Sequence, residues 1–144
     1  MISKWDARFL ALAEHIASWS KDPSTQCGAV IVAPDRSVVS VGYNGFPRGV
    51  TDHPDRLSDR DTKYALMVHA EMNAILTARG RMTGCALYVW PFAPCERCAV
   101  HVAQAGIVRV VAPMAAGERG ERWAVSLDRT RALLDEVGVE LAEV

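Results

Sequence analysis

The chain has 144 residues, half of them apolar, which is long enough to bury a core and predicts a single domain over residues 1–144. Its 16 basic and 17 acidic residues nearly cancel, and this balance argues against a long nucleic acid as partner, because proteins that bind one usually carry a basic surplus. The sequence has no apolar run near the roughly 18 residues needed to cross a bilayer, so no membrane partner is expected. The first residues, MISKWDARFL, lack the basic, apolar and small-residue order of a signal peptide, so the chain is expected to be cytoplasmic.

The first half of the chain predicts a helix, a hairpin and a long polar segment. Five apolar residues at helical spacing predict a helix that ends before the KDPS segment: Trp5, Phe9, Leu12, Ile16 and Trp19. Two strand-like runs, QCGAVIVA and SVVSVGYN, flank PDRS, which is typical of a hairpin turn. The polar segment from Gly45 to Lys63 is predicted to be a loop, and loops of that length in compact domains tend to be functional or mobile.

The second half alternates between helices and strands. A helix is predicted from about Val68, a strand at CALYVW, a helix from about Cys95 and a strand at IVRVVAP. A last helix through Trp123, Leu127 and Leu134 precedes a final strand at VGVELAEV. Strands that alternate with helices indicate a sheet covered by helices on its faces. The predicted fold class is therefore α/β, a three-layer α/β/α sandwich with a mixed five-stranded sheet.

The stretch MVHAEMNAIL places two polar residues, His69 and Glu71, in the first turn of an otherwise apolar helix. Residues two apart on a helix are separated by about 200°, so the two side chains can converge only on a point beyond the helix end. That end favours an anion or a metal-bound hydroxide, because free N–H groups and the helix dipole are directed there. A solvated helix cap is nevertheless the commoner explanation of such a pair.

The stretch APCERCAV supplies two cysteines at the start of the next predicted helix. Cys95 and Cys98 are three residues apart and lie about 60° apart on one side of that helix, where thiols are pushed toward the metal-binding thiolate. A lone C-x-x-C also fits a redox pair, although that pair is expected after the first strand of a thioredoxin-like unit. With His69 the cysteines make three ligands, and zinc with three protein ligands keeps a fourth position for water, as in catalytic sites. Glu71 would then move protons rather than bind the metal.

The combination of H-A-E with P-C-x-x-C is the signature of the zinc-dependent nucleobase deaminases. Within that class the chain resembles the deoxycytidylate (dCMP) deaminase family through SKDPSTQCGAVIV, GYNGFPRG, DTKY, GCALYV and QAGI, up to about Val111. The resemblance implies a cytidine deaminase-like fold and a zinc cofactor held by His69, Cys95 and Cys98. It also implies hydrolytic deamination of dCMP, or of a 5-substituted dCMP, to dUMP or its analogue with release of ammonia, which supplies pyrimidine deoxynucleotides.

The resemblance further implies roles for individual residues. A zinc-activated water attacks C4 of the cytosine ring, while Glu71 protonates N3 and then the departing amine. Asn44 matches the position that hydrogen-bonds the sugar, and the N–H of Ala70 meets the ring O2. A 5′-phosphate needs cationic or N–H donors, and three residues of the SKDPS and FPRG segments are predicted to contact it: Lys21, Ser24 and Arg48. Each of the three is equally compatible with a solvated loop residue.

Two segments depart from the family pattern. YVWPFAPC carries an extra residue between Tyr88 and Pro94 in the loop expected to line the base, which keeps a 5-substituted cytosine open as the substrate. MAAGERGERW, after Pro113, does not match the pattern either. The resemblance implies a homo-oligomer, such as the hexamers among related enzymes, but this departure leaves oligomer size and regulation by dCTP or dTTP open.

Two other functions stay open. One is deamination of a different nucleoside, a nucleobase or a tRNA adenosine; the near-zero charge argues against tRNA, and GYNGFPRG argues for a nucleotide. The other is a non-catalytic zinc-binding module for protein interaction. The three-ligand set and Glu71 argue against such a module, because a structural zinc site needs a fourth ligand and has no use for a proton carrier.

Overall fold

The structure is a computed structural model that describes residues 2–144. Its helices are, in chain order, α1 (Lys4–Ala17), α2 (Pro54–Ser58), α3 (Arg60–Leu66), α4 (Ala70–Thr77), α5 (Glu96–Gln104) and α6 (Gly117–Val137). Its strands are β1 (Gly28–Val32), β2 (Val38–Tyr43), β3 (Ala86–Trp90), β4 (Arg109–Ala112) and β5 (Glu140–Glu143). These elements confirm the predicted α/β class.

The strands form one five-stranded sheet in the order β2-β1-β3-β4-β5. β1 pairs antiparallel with both β2 and β3, and the PDRS segment joins β1 to β2 as predicted. The pairs β3–β4 and β4–β5 are parallel. The predicted mixed five-stranded sheet is therefore confirmed, with β3 between an antiparallel half and a parallel half.

Helices cover both faces of the sheet. One buried cluster joins α1 to a single face and comprises Phe9, Leu10, Ala13, Val30, Val32, Tyr88 and Val111. A larger cluster joins α4, α5 and α6 to the opposite face and includes Ile31, Ala74, Leu87, Val102, Val110, Leu127 and Leu134. Val30 and Ile31 belong to different clusters because successive strand residues point to opposite faces. This is the predicted three-layer arrangement. None of the helices in the described residues is long and apolar enough to cross a membrane.

The N-terminal helix is shorter than its sequence pattern predicts. α1 ends at Ala17, and Trp19 lies beyond it with 52% of its surface exposed, so its predicted place on the core face is wrong. The buried face carries Phe9, Leu10 and Ile16, with the small residues Ala13 and Ala17 where β1 approaches closely. A Cβ atom at Gly28 would lie 2.1 Å from the carbonyl oxygen of Ala13. Contact this close excludes a large side chain between the helix and the strand.

A buried ion pair fastens α1 to the sheet. The Arg109 guanidinium donates to the Asp6 carboxylate at 2.6 Å, and the Tyr88 hydroxyl donates to it at 2.8 Å. Arg109 also lies 3.2 Å from the Glu140 carboxylate. The hydrogen bond from Arg109 holds the pKa of Asp6 well below its usual range, while burial and the neighbouring Asp6 raise the pKa of Tyr88 to about 12. The network therefore joins α1, β3, β4 and β5.

The segment from Gly45 to Lys63 is not the continuous loop that the sequence predicts, since it contains α2 and the first half of α3. Each helix begins at a side-chain cap: His53 accepts a hydrogen bond from the N–H of Asp55, and Asp59 accepts one from the N–H of Thr62. Both helices lie within the described residues, and neither buries a side chain. The apolar periodicity that reveals other helices is therefore absent here, which explains the error.

Candidate active site

Two helices direct their N-terminal ends at one point. His69 is the N-cap residue of α4 and Cys95 is the N-cap residue of α5, while Cys98 lies in the first turn of α5. The ligand atoms of the three residues all lie within 4.8 Å of one another. The fold thus brings together the three metal ligands predicted from two separate motifs.

The distances between these ligand atoms fit zinc. Nδ1 of His69 lies 3.5 Å from Sγ of Cys95 and 3.3 Å from Sγ of Cys98. Zinc bonds of about 2.3 Å to sulfur and about 2.0 Å to nitrogen, set at a tetrahedral angle, would place such atoms about 3.6 Å apart. Two thiolates also balance the charge of Zn²⁺. The chemistry of the three donors and the distances between them therefore fit a zinc ion with three protein ligands, which leaves its fourth position for water.

The proximity of the three groups shifts their pKa values. The neighbouring Cys98 thiol, with a further contribution from His69, holds the pKa of Cys95 below its usual range. The neighbouring Cys95 and burial raise the pKa of Cys98, and the hydrogen bond with Cys95 raises the pKa of His69. A divalent cation would displace the protons held by the thiols, so metal binding at this site would be coupled to proton release.

Glu71 lies in the first turn of α4, two residues after His69. It is buried, with 5% of its surface exposed, although it carries a carboxyl group. Burial raises the pKa of that carboxyl, and the nearby His69 partly opposes the shift. A carboxyl group with a raised pKa can accept and release protons closer to neutral pH, which suits general acid–base catalysis.

The position of α4 is set by its close contact with β2. A Cβ atom at Gly42 would lie 2.5 Å from the carbonyl oxygen of Ala70 and 2.5 Å from the backbone nitrogen of Ala74. Ser40, on the same strand, donates a hydrogen bond to the carbonyl oxygen of Ala74 at 2.7 Å. The N-terminal half of α4 is therefore held against β2 by direct backbone contact and by the hydrogen bond from Ser40.

The cysteine-bearing segment is held in place by α6. Thr130, fully buried, donates a hydrogen bond from Oγ1 to the carbonyl oxygen of Pro94 at 2.8 Å. Ser126 accepts a hydrogen bond from the N–H of Glu96 at 3.1 Å. These bonds fix the residues on either side of Cys95, so α6 supports the metal ligands although it supplies none of them.

A cavity of about 200 Å³ is lined by two of the three ligands, His69 and Cys95. Its buried end is lined by His69, Ala70, Glu71 and Cys95, and its apolar wall by Val89, Phe92, Ala93 and Trp123. The ring centroids of Phe92 and Trp123 lie 6.0 Å apart. Its exposed rim includes Arg60, Tyr64 and Arg122. The cavity thus combines metal ligands, a buried acid and an aromatic wall with cations where it opens to solvent.

Asn44, the predicted sugar contact, is buried and lines the cavity. Its Oδ1 accepts a hydrogen bond from the N–H of Cys27 at 2.8 Å, and its Nδ2 donates to the carbonyl oxygen of Thr25 at 2.9 Å. The side chain therefore also ties the segment after β2 to the segment before β1. Because an amide oxygen has two lone pairs, Oδ1 can accept a second hydrogen bond from a sugar hydroxyl.

The predicted phosphate contact Ser24 lies in the cavity beside an ion pair. Lys63 pairs with Asp22 at 2.9 Å and donates a hydrogen bond to Oγ of Ser24 at 3.1 Å. Asp22 in turn accepts a hydrogen bond from the N–H of Ser24 at 2.8 Å. All three residues line the cavity. The cluster fastens α3 to the KDPS segment and neutralises Lys63.

The other two predicted phosphate contacts lie elsewhere. Lys21 pairs with Asp52 at 2.9 Å, and its side chain is 69% exposed. Arg48 is also exposed, and neither residue lines the cavity. A phosphate role for Lys21 and Arg48 therefore stays a prediction.

Sequence analysis did not single out several cavity residues as functional: Arg60, Lys63, Tyr64, Phe92, Arg122 and Trp123. Some of these residues do stand in sequence segments that could have marked them as functional. Lys63 and Tyr64 stand in the DTKY motif, and Phe92 stands in the loop that departs from the family pattern. Arg60 and Arg122 belong to no motif, and only the fold places them beside the cavity.

Comparison with known proteins agrees with this geometry. Residues 3–114 match the family described as the cytidine and deoxycytidylate deaminase zinc-binding region. A protein of Aliivibrio fischeri named "uncharacterized deaminase in luxG 3′ region" is 45% identical over 98% of this chain and 94% of its own length. Human deoxycytidylate deaminase is 42% identical, and the match covers 75% of this chain and 64% of the human protein. The chain thus spans less than two thirds of its human relative.

Solved structures share the fold. The dCMP deaminase of cyanophage S-TIM5 in complex with dCMP and dUMP has a TM-score of 0.77, with 100% of this chain and 99% of that chain covered at 23% identity. The metal ligands and Glu71 all lie inside the matched residues 3–114. The chain therefore belongs to the cytidine and deoxycytidylate deaminase family, a family of zinc-binding deaminases.

Proposed function

We propose that this protein catalyses the hydrolytic deamination of dCMP to dUMP with release of ammonia. The observation that carries the proposal is the buried carboxyl of Glu71 beside the ligand set of His69, Cys95 and Cys98. Relatives at 42–46% identity are named deoxycytidylate deaminases, and a structure of the same fold holds dCMP and dUMP.

His69, Cys95 and Cys98 would hold zinc, which would activate a water molecule for attack on C4 of the cytosine ring. Glu71 accepts a proton from that water and delivers it to N3 of the ring. The same carboxylate then transfers the water's second proton to the amino group, which leaves as ammonia. Glu71 returns to its starting protonation state, and cytosine plus water has become uracil plus ammonia.

Other residues of the cavity orient the base and exclude water. The aromatic wall of Phe92 and Trp123 offers apolar surface to the flat ring. The N–H of Ala70, at the first position of α4, has no intrahelical partner and can donate to the ring O2. Asn44 accepts a hydrogen bond from the sugar. Together these contacts hold C4 at the buried end of the cavity, close to Glu71.

Ammonia release from dCMP, CMP, deoxycytidine, 5-methyl-dCMP and a tRNA stem-loop tests the proposal. We expect kcat/KM for dCMP to exceed that for deoxycytidine by a hundredfold or more, because each charge-assisted bond to a phosphate contributes roughly 1.5–3 kcal/mol. Equal values for the two would contradict a nucleotide substrate and would leave the zinc chemistry standing. Absence of ammonia from every substrate, with zinc bound, would favour a non-catalytic zinc module instead.

A 5-substituted dCMP is a second candidate substrate. It is favoured by the loop between Tyr88 and Pro94, which brings Phe92 into the cavity opposite Trp123 and carries an extra residue. The comparison of 5-methyl-dCMP with dCMP decides between the two. A higher kcat/KM for the methylated nucleotide would make it the preferred substrate.

We also propose that the protein is a cytoplasmic homo-oligomer. Large apolar side chains on the surface support self-association, among them Leu76, which is 69% exposed, and Val125, which is 67% exposed. Light scattering of the purified protein measures the mass directly. A mass of 15.7 kDa, that of one chain, would contradict the oligomer.

A further inference from the structure

Two guanidinium groups converge at the exposed rim of the cavity. Arg60 donates hydrogen bonds to the Tyr64 hydroxyl from Nη2 at 2.8 Å and from Nε at 3.1 Å. Arg122, on α6, lines the same cavity, and the hydrogen bonds from Arg60 first, with the nearby Arg122 charge in addition, lower the pKa of Tyr64. All three residues line the cavity. Two cations from distant parts of the chain thus lie at the rim of one cavity, beside a phenol.

Neither of these arginines is neutralised within the described residues. Other cations near the cavity have carboxylate partners, as Lys63 has Asp22, but Arg60 and Arg122 form no salt bridge between residues 2 and 144. Like charges at close range repel one another unless an anion binds both. Guanidinium groups form bidentate hydrogen bonds with phosphate oxygens, so a phosphate is the anion that suits this pair.

Part of the cavity lining comes from a segment beyond the family match. Arg122 and Trp123 belong to α6, whereas the matched region ends at residue 114. α6 is tied to the cysteine-bearing segment by the hydrogen bond from Thr130 to Pro94. The helix therefore presents Arg122 to the cavity from a position that is fixed relative to the metal ligands.

We propose that Arg60, Arg122 and the Tyr64 hydroxyl bind the 5′-phosphate of the substrate, and that α6 thereby determines the preference for a nucleotide over a nucleoside. This inference rests on the proposed function, because it names the residues that distinguish dCMP from deoxycytidine. The two guanidiniums donate charge-assisted hydrogen bonds to phosphate oxygens, and the phenol donates its O–H. Since the phosphate lies far from C4, these bonds serve to hold the ring at the buried end of the cavity.

The test compares kcat/KM for dCMP and for deoxycytidine in Arg60→Ala and Arg122→Ala enzymes. We expect the ratio of the two values to fall on the order of ten- to a hundredfold in each variant. Arg122→Lys keeps the charge without the bidentate geometry, so its ratio should fall less. A substitution that only disturbs the fold would lower kcat/KM for dCMP and for deoxycytidine by the same factor and leave their ratio unchanged. An unchanged ratio in Arg60→Ala and Arg122→Ala would therefore contradict the phosphate role.

A matched control removes the same charge from outside the cavity. Arg81 is exposed and does not line the cavity, so Arg81→Ala should keep the wild-type ratio. A second measurement needs no turnover: the Kd of dCMP is determined by calorimetry in a Glu71→Gln background. Adding Arg122→Ala to that background should raise the Kd on the order of tenfold or more, and adding Arg81→Ala should not.

The outcomes separate this inference from the proposed function. If the wild-type enzyme prefers dCMP while Arg60→Ala and Arg122→Ala keep that preference within about twofold, this phosphate site is overturned and dCMP deamination stands. If the wild-type enzyme turns over dCMP and deoxycytidine equally, both the nucleotide substrate and this site are overturned.

Discussion

Proton transfer in the proposed reaction depends on Glu71. Glu71→Gln keeps the size and hydrogen-bonding capacity of the side chain but cannot carry a proton. We expect kcat for dCMP to fall about 10²- to 10⁴-fold, with zinc content and the Kd of dCMP close to those of the wild type. Glu14→Gln, at an exposed position on α1, is the matched control and should be fully active. A Glu71→Gln enzyme that kept more than about a tenth of wild-type kcat would exclude the assigned role.

The thiolates should control metal retention. Cys95→Ser and Cys98→Ser each replace a thiolate with a hydroxyl that stays protonated, so both variants should lose zinc together with deaminase activity. Cys85 is buried away from the ligand set, and Cys85→Ala should keep its zinc. Metal analysis after dialysis against a chelator measures the difference. Full activity in a preparation shown to be free of metal would end the zinc hypothesis.

Because Gly42 allows β2 to contact the backbone of α4, we expect this residue to affect catalysis without contacting the substrate. A methyl group there would lie 2.5 Å from backbone atoms of Ala70 and Ala74, which cannot move aside as a flexible side chain can. We expect Gly42→Ala to displace the first turn of α4, lowering kcat/KM and reducing the free energy of unfolding by about 2 kcal/mol. Gly45→Ala is the matched control, because a Cβ at Gly45 meets nothing within 4 Å. Urea denaturation and ammonia release together measure both effects.

Helices and strands were predictable where they bury an apolar face. Strands β1 to β4 and the helices α1, α4, α5 and α6 all carry buried residues, β5 packs partly buried residues against the core, and each of these elements was predicted near its observed position. α2 and α3 were not, because they form through caps at His53 and Asp59 without burying a side chain. Trp19 was wrongly assigned because helical spacing continues past the residue at which α1 ends.

Within the candidate site, too, some residues could be predicted from the sequence and others could not. His69, Glu71, Cys95 and Cys98 were predictable because each pair lies in one short motif whose donor chemistry is specific. The rim was not, since Arg60 and Arg122 are exposed arginines in unrelated segments: Arg60 reaches Tyr64 within α3, and only tertiary packing brings Arg122 to the same cavity. An isolated surface cation carries no signal in a sequence that distinguishes a ligand contact from solvation.

On the far side of the sheet, the ion pair of Asp6 and Arg109 should make stability depend on pH. Arg109 holds the pKa of Asp6 below the value of about 3.9 expected in the unfolded chain, so the pair contributes fully above that pH and progressively less below it. We expect Asp6→Asn to lower the free energy of unfolding by about 3 kcal/mol at pH 7. At pH 3 the difference from the wild type should be smaller by about 1 kcal/mol.

Urea denaturation at the two pH values measures that difference. Asp61→Asn, at an exposed position, serves as the control and should cost little at either pH. A deficit in Asp6→Asn that is equal at pH 7 and pH 3 would contradict the assigned pKa direction and would leave the ion pair as a pH-independent packing contact.

If Arg122 binds the substrate phosphate as proposed, the position of α6 would couple zinc retention to nucleotide binding. Thr130 bonds the Pro94 carbonyl beside the cysteines, while Arg122 lies at the opening of the cavity, so one rigid helix joins the two places. A nucleotide that steadies this helix should lower the Kd of the metal, and by thermodynamic reciprocity the metal should lower the Kd of the nucleotide by the same factor. When zinc is scarce, enzyme molecules that hold substrate would then be the last to lose their metal.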